Sequence, residues 1–219
     1  PVDFIPIAEH TGMIVGIGNW VFQQALSQSG QWRALQPDFT VSVNVSPVQF
    51  YRSNETYYRE WLSDCESVGG TPGAGPAVSI EITESLMMAA DETVMDKLTA
   101  LQNAGIKISL DDFGTGYSSL SYLRKFNLDY LKIDQSFVHN LEHDAANRAL
   151  CEAIIVMAHK LGLKVIAEGI ETPGQRDMLA GAGCDFGQGY LFSPPVGAEE
   201  FERMLRSAPP LLPEQPLPA

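Results

Sequence analysis

Cysteine is scarce in this sequence, basic residues are outnumbered, and no apolar run approaches the length of a bilayer. Each shortage removes a class of protein. The three cysteines, Cys65, Cys151 and Cys184, are widely separated and show no CxxC spacing. They provide neither a disulfide framework nor a zinc site, and they fit a reducing compartment. Fourteen Lys and Arg stand against 27 Asp and Glu, a net charge of −13. That balance argues against the broad cationic surface DNA or RNA binding demands. It leaves room for a small phosphate ester, because a bound divalent cation reverses the local field. With nothing near the ~20 apolar residues of a membrane helix and no signal-peptide pattern at the start, the expectation is a cytoplasmic domain. Membrane anchoring of a parent protein is left open.

What is present is the material of one large core: 219 residues, 45% of them hydrophobic. The opening Pro1–Glu9 reads like the middle of a domain. Met13–Ser29 has apolar residues at helical spacing. Phe39–Ser46 alternates polar and apolar until Pro47, Tyr57–Val68 predicts a helix, and Gly69–Pro76 reads as a surface loop. A second alternating strand, Ala77–Glu84, precedes a helix over Asp91–Asn103 that Gly105 closes. Strands then follow at Ile106–Leu110, Asp129–Asp134, Lys164–Gly169 and Phe186–Phe192. The helices between and after them cover Ser118–Lys125, Asp144–Leu161, the stretch after Pro173, and Ala198–Arg206. Residues 1–208 form the domain, and the proline-rich tail 209–219 is expected to be disordered. Alternating strand and helix require a parallel sheet with covering helices. Six strands favour an α/β fold, a TIM-like (β/α)8 barrel with six of its eight strands in this chain, whose functional residues lie at the C-terminal strand ends. An open doubly wound sheet is the alternative.

Strands buried on both faces should be apolar throughout, and these are not. Ser42, Asn44 and Ser46 share one face of the first strand; Ser79, Glu81 and Thr83 share one face of the second. Lys132 interrupts the fourth, Glu168 sits near the end of the fifth, and Gln188 lies in the sixth. The centre of this pattern is Ile108–Ser119, where an apolar strand runs into Asp111 and Asp112 and then a loop bracketed by Gly114 and Gly116. Adjacent strand residues point to opposite faces, so both aspartates reach one point only where the strand gives way. A turn capped by Ser118 or Ser119 explains the stretch by itself. The six strands together imply more. Four carboxylates and an amide oxygen make an all-oxygen set suited to Mg²⁺ or Mn²⁺, and a lysine among them suits an anionic substrate. That combination points to divalent-metal chemistry on a phosphate ester.

Other signals carry less. His139 and His143 have the i, i+4 spacing of a metal pair, yet their polar neighbours make a solvated helix start the simpler reading. Gly114-Thr115-Gly116 is neither a dinucleotide fingerprint nor a P-loop, and no serine sits in a nucleophile elbow. Met87, Met88 and Met95 read as core filling.

In order and spacing, seven stretches resemble the EAL-domain family of cyclic di-GMP phosphodiesterases: Phe4–Glu9, Ser42–Ser46, Glu81–Glu84, Asp111–Gly116, Lys132–Asp134, Glu168–Glu171 and Gln188–Tyr190. The resemblance runs from the first residue to about Arg206 and implies a modified (β/α)8 barrel. By that resemblance Asn44, Glu81, Asp111 and Asp112 coordinate one or two Mg²⁺ or Mn²⁺ ions. Lys132 positions and polarises the attacking water, and Glu168 completes the metal and water network as ligand or base. Gln188 helps hold that network. Glu84 anchors the loop holding Phe113, Gly114, Thr115 and Gly116, and Glu171 lies on the structural and dimer-contact side. The implied reaction is hydrolysis of cyclic di-GMP to linear pGpG. The implied partners are a second copy of the chain and upstream sensory or GGDEF-type domains, with no DNA or RNA. The Glu-Ala-Leu segment that names the family is absent, so the chain is expected to be a piece of a longer protein. A receptor that binds cyclic di-GMP without cleaving it is the alternative, decided by whether that segment is intact.

Overall fold

The computed structural model describes residues 1–52, 59–63, 77–114, 123 and 126–207. Six strands succeed one another: β1 (Val41–Asn44), β2 (Val78–Thr83), β3 (Lys107–Phe113), β4 (Tyr130–Ile133), β5 (Lys164–Ala167) and β6 (Phe186–Gly187). Before β2 lie α1 (Ile5–Thr11), α2 (Ile14–Arg33) and α3 (Pro47–Arg52). After it come α4 (Glu84–Ala89), α5 (Glu92–Asn103), α6 (Gln135–Val138), α7 (Ala145–Lys160), α8 (Pro173–Gly181) and α9 (Ala198–Ser207). Residues 59–63 are helical as well.

Every pairing is parallel and joins consecutive strands, in the spatial order β1-β2-β3-β4-β5-β6. A doubly wound sheet reverses direction at a switch point; this one never does, which rules out the open alternative. The sheet also curls. Ser42, Ser79, Ser109, Tyr130, Ile166 and Phe186, drawn from all six strands, line a single cavity of about 350 Å³. The result is a half-barrel, six strands of the (β/α)8 arrangement. On the sheet's other face Ile80, Ile82, Leu110, Leu131, Ile133 and Val165 are fully enclosed beneath the helices, each contributing about 1.5–3 kcal/mol relative to exposure.

Caps fix the helix starts. Asp91 accepts a hydrogen bond from Val94 N at 2.9 Å, and Asp144 accepts one from Ala146 N at 2.8 Å. Gly105 (φ 87°) and Gly162 (φ 79°) follow α5 and α7 in the left-handed conformation, which glycine adopts without steric cost.

Several expectations are corrected. The last strand has two residues, not seven, because Gln188 and Leu191 hydrogen-bond through their backbones to Ile170 in the loop after β5. The strand expected over Ala77–Glu84 ends at Thr83, and Glu84 begins α4. β3 continues through both aspartates to Phe113. The helices α1, α3, α4 and α6 are only four to seven residues long, too short for a hydrophobic period to declare itself. His139 is the cap residue just after α6 and His143 lies in the turn before α7, so their spacing is not that of one helix face. Met88 is 44% exposed and fills no core, whereas Met87 does. The Gly69–Pro76 loop, Ser118–Ser119, Cys65 and the 209–219 tail lie outside the described residues, as do most of the Tyr57–Val68 and Ser118–Lys125 helices. Among the described residues no helix is long and apolar enough to cross a membrane.

Candidate active site

The inner face of the half-barrel is polar, and Lys132 is its centre. Its side chain is 3% exposed and touches three carboxylates: Glu168 Oε1 at 2.5 Å, Glu81 Oε2 at 2.7 Å and Asp111 Oδ1 at 3.2 Å. The sheet register explains the convergence. Asn44 pairs with Glu81, Glu81 with Ser109, and Thr83 with Asp111, so neighbouring strands present these groups at adjoining levels. Glu168 follows β5 directly, its N–H bonded to Ile133 O at 3.1 Å. Gln188 Nε2 donates to Glu168 Oε1 at 2.7 Å, holding that carboxylate from the β6 side.

Burial would push the Lys132 ammonium down, but Glu81 and Glu168 more than offset it and hold it above the usual lysine range. Burial pushes the Glu168 carboxyl up, and its bond to Lys132 offsets this only in part. One ammonium faces three carboxylates within 3.2 Å, so this cluster carries a net charge of −2. Such an excess in a low-dielectric site is relieved by a further cation or by protonation of a carboxylate.

Asp111 and Asp112 escape strand alternation through a bulge. Pairing passes from Leu110–Leu131 to Phe113–Ile133, three steps on β3 against two on β4. The extra residue leaves Asp112 at φ 55°, the only non-glycine positive φ among the described residues. A bulge of this kind re-aims side chains beside active sites, and a strained carboxylate there carries a cost. Burial, then repulsion from Asp111 and Asp134, raises the Asp112 carboxyl above its ordinary value. A raised carboxyl is more easily protonated folded than unfolded, so its stability contribution falls as pH rises above the ordinary aspartate range. Asp112→Asn removes the repulsion, and asparagine tolerates positive φ. Its melting temperature at pH 7 is expected to exceed wild type by about 1–3 °C, since an exposed like-charge contact is worth less than about 1 kcal/mol. The difference should vanish near pH 3 in thermal unfolding; a variant less stable than wild type at pH 7 contradicts this account.

The other sequence-derived positions fall around the cluster. Asn44 ends β1, exposed and beside Glu81 in register. Phe113 is buried; Gly114 (φ 95°) lies against Phe137, whose ring would stand 3.1 Å from any Cβ there. Both carboxylate oxygens of Glu84 are buried without a hydrogen-bond partner among the described residues. Thr115 and Gly116, the loop Glu84 was expected to anchor, lie outside those residues. Glu171 is exposed and shares a cavity of about 640 Å³ with Glu168 and Gln188. Tyr190 and Phe201 line the same cavity. Cys151 and Cys184 are free thiols that burial pushes up to about 11, which leaves them poor nucleophiles at neutral pH.

A family model described as the EAL domain matches residues 1–195. The chain belongs to the EAL domain family. It is 40% identical over 212 residues to the oxygen sensor protein DosP of Escherichia coli, covering 96% of this chain and 26% of DosP. It is 36% identical over 207 residues to MucR of Pseudomonas aeruginosa, described as a bifunctional diguanylate cyclase/cyclic di-GMP phosphodiesterase, covering 91% of this chain and 29% of MucR. The chain thus spans under a third of the length of these relatives. Among solved structures, the MucR phosphodiesterase in complex with cyclic di-GMP superposes with a TM-score of 0.83 at 37% identity, covering 92% of this chain and 80% of that one. A manganese and cyclic di-GMP complex of Klebsiella pneumoniae BlrP1 superposes at 0.73 with 27% identity, covering 89% and 48%.

A divalent cation fits this EAL domain by the chemistry of its donors. Among the described residues no three His, Cys, Asp or Glu side chains stand ready as a cage. The carboxylates that could supply one, Glu81, Asp111 and Glu168, are turned onto Lys132, an ammonium standing at the focus of an oxygen-only set. That set, its negative excess and the repelled Asp112 beside it suit a hard, oxygen-preferring divalent cation.

Proposed function

We propose that this EAL domain hydrolyses one phosphodiester bond of cyclic di-GMP to give linear pGpG, using bound Mg²⁺ or Mn²⁺. The observation that carries the reading is the negative excess around Lys132, three carboxylates on one buried ammonium. Asn44, Glu81, Asp111, Asp112 and Glu168 would hold one or two ions. Bound there, the metal lowers the pKa of water and stabilises charge on the attacking and leaving oxygens. Lys132 orients the attacking water and offsets negative charge as the phosphate crowds the carboxylates. Glu168, its carboxyl already raised by burial, accepts the proton that water releases, and Gln188 keeps it facing Lys132. The cavity beside Glu168, with Tyr190 at its wall, offers an aromatic face on which a base can stack. DosP is an oxygen sensor protein and MucR a bifunctional cyclase and phosphodiesterase, which supports sensory or cyclase domains beside this one in a longer protein, and a homodimer belongs to the same reading.

The test is turnover of cyclic di-GMP with Mg²⁺ by the intact protein, followed as pGpG release, beside Asp111→Asn. Wild type should turn over, and the variant should fall by several orders of magnitude. Binding without turnover in wild type would instead assign the domain as a receptor, and neither binding nor turnover would leave it a scaffold.

Glu84 belongs to the same proposal. Its buried carboxylate has no hydrogen-bond partner among the described residues, and anchoring the loop after Gly114 is the role proposed for it. Glu84→Ala is expected to weaken Mg²⁺ affinity about tenfold without removing a ligand. Calorimetric Mg²⁺ affinity and activity equal to wild type would remove that role.

A further inference from the structure

We propose that Gln175 is a positioning residue for Glu168, an inference that rests on the hydrolase reading above. Gln175 opens α8 as its third residue, forms a capping box with Thr172, and is 3% exposed. A capping box asks only that this side chain accept one hydrogen bond from the cap residue. Gln175 does more. Its Oε1 accepts from both Glu171 N (2.7 Å) and Thr172 N (3.1 Å), and its Nε2 donates to His139 O at 3.1 Å. The amide therefore ties the segment that follows Glu168 to the end of α6.

That end belongs to the strand that carries Lys132. Asp134, two residues past Lys132, caps α6 by accepting from Ser136 N at 3.0 Å. The β5–α8 segment meets α6 twice. Gly169 (φ 68°) crosses so close to Gln135 that a Cβ would stand 2.6 Å from the Gln135 Cβ, and Glu171 reaches His139 through Gln175. Glu142 reinforces the junction, accepting from Thr172 Oγ1 at 2.9 Å beside the N-terminus of α8, where a carboxylate is favoured. Glu168 and Lys132 are 2.5 Å apart across this bracket. The bracket fixes that separation, and displacements near 1 Å in such a pair cost about 10²-fold in rate.

Glutamate in place of glutamine separates positioning from capping. It still accepts both N–H bonds, and its charge suits a helix N-terminus. It cannot donate to His139 O, so the cap survives and the tie breaks. In the intact protein Gln175→Glu is expected to lower kcat 10- to 100-fold with KM within twofold of wild type. Amide exchange should quicken at least tenfold at Glu168 and Ile170 while Leu179, inside α8, keeps its protection. Gln175→Met, which loses the cap too, should quicken exchange along α8 as well. Wild-type kcat and wild-type exchange at Glu168 in Gln175→Glu would overturn the proposal, as would exchange quickened throughout α8 in that variant, the mark of a cap alone. Should wild type prove unable to hydrolyse cyclic di-GMP, the hydrolase reading falls, and exchange at Glu168 still decides whether the tie exists.

Discussion

Lys132→Met is expected to abolish detectable cyclic di-GMP turnover and to leave a fold more stable at pH 5 than at pH 8. Wild-type Lys132 offsets part of the charge of Glu81, Asp111 and Glu168, at 2.5–3.2 Å, in a site where it is itself 3% exposed. Its ammonium is held above the usual lysine range, so its stabilising contribution is complete below about pH 10.4 and declines only as pH climbs through the raised folded value. Methionine keeps the stem and deletes the charge. Breaking one side of a buried ion pair costs about 3–5 kcal/mol, because the remaining charges stay enclosed. Burial already raises the Glu168 carboxyl, and without Lys132 it loses the bond that offsets that rise. Stability of the variant should therefore fall as pH rises through the raised Glu168 range, and urea unfolding at pH 5 and pH 8 measures it. Equal stability at the two pH values, or turnover within tenfold of wild type, would contradict the central place given to Lys132.

Gly189→Ala is expected to be the most damaging single-methyl insertion. A Cβ on Gly189 would stand 2.3 Å from both the N and the O of Ile170. Those are backbone atoms, and they cannot turn aside as a side chain can. The two bonds they make, Ile170 N to Gln188 O at 3.1 Å and Leu191 N to Ile170 O at 2.9 Å, join the loop after β5 to the loop after β6. Separating the loops moves Glu168 and Gln188 together. The expected cost is about 3 kcal/mol, the upper end of overpacking penalties, with turnover down about 10²-fold. Gly16→Ala is the control: in α2 with nothing within 4 Å of the new Cβ, it should stabilise by about 0.5–1 kcal/mol. Thermal unfolding and turnover of the pair check both, and a Gly189→Ala protein with wild-type melting and rate would refute the account.

The polar strand positions were readable because a buried parallel strand has no use for Ser, Glu or Lys unless the opposing strands answer them. Glu81, Asp111, Lys132 and Glu168 meet as the alternation implied. The bulge between Leu110 and Phe113 was not readable: two adjacent aspartates announce that alternation fails, but not that a left-handed residue inside the strand is the means. The short helices escaped for lack of turns. Gln175 had a visible signal, Thr172-Pro-Gly-Gln175, the spacing of a capping box with proline at the first helical position. Its bond to His139 O depends on a turn 36 residues away, which no local pattern encodes.

Because the sheet order copies the chain order, each strand from β2 to β6 leaves the ribosome to find a partner already made. No strand must wait for a later one to be inserted between itself and its predecessor. Growth is therefore vectorial, from β1 toward β6, and each parallel pairing must first close its crossover connection, which slows it. The cost falls on intermediates, whose newest strand always shows an unpaired edge. Glu168 arrives only after Lys132 is in place, so a nascent chain halted before β5 would enclose Lys132 with Glu81 and Asp111 alone. Translational arrest at that point should yield a sheet whose ion cluster has one negative charge fewer than the finished one.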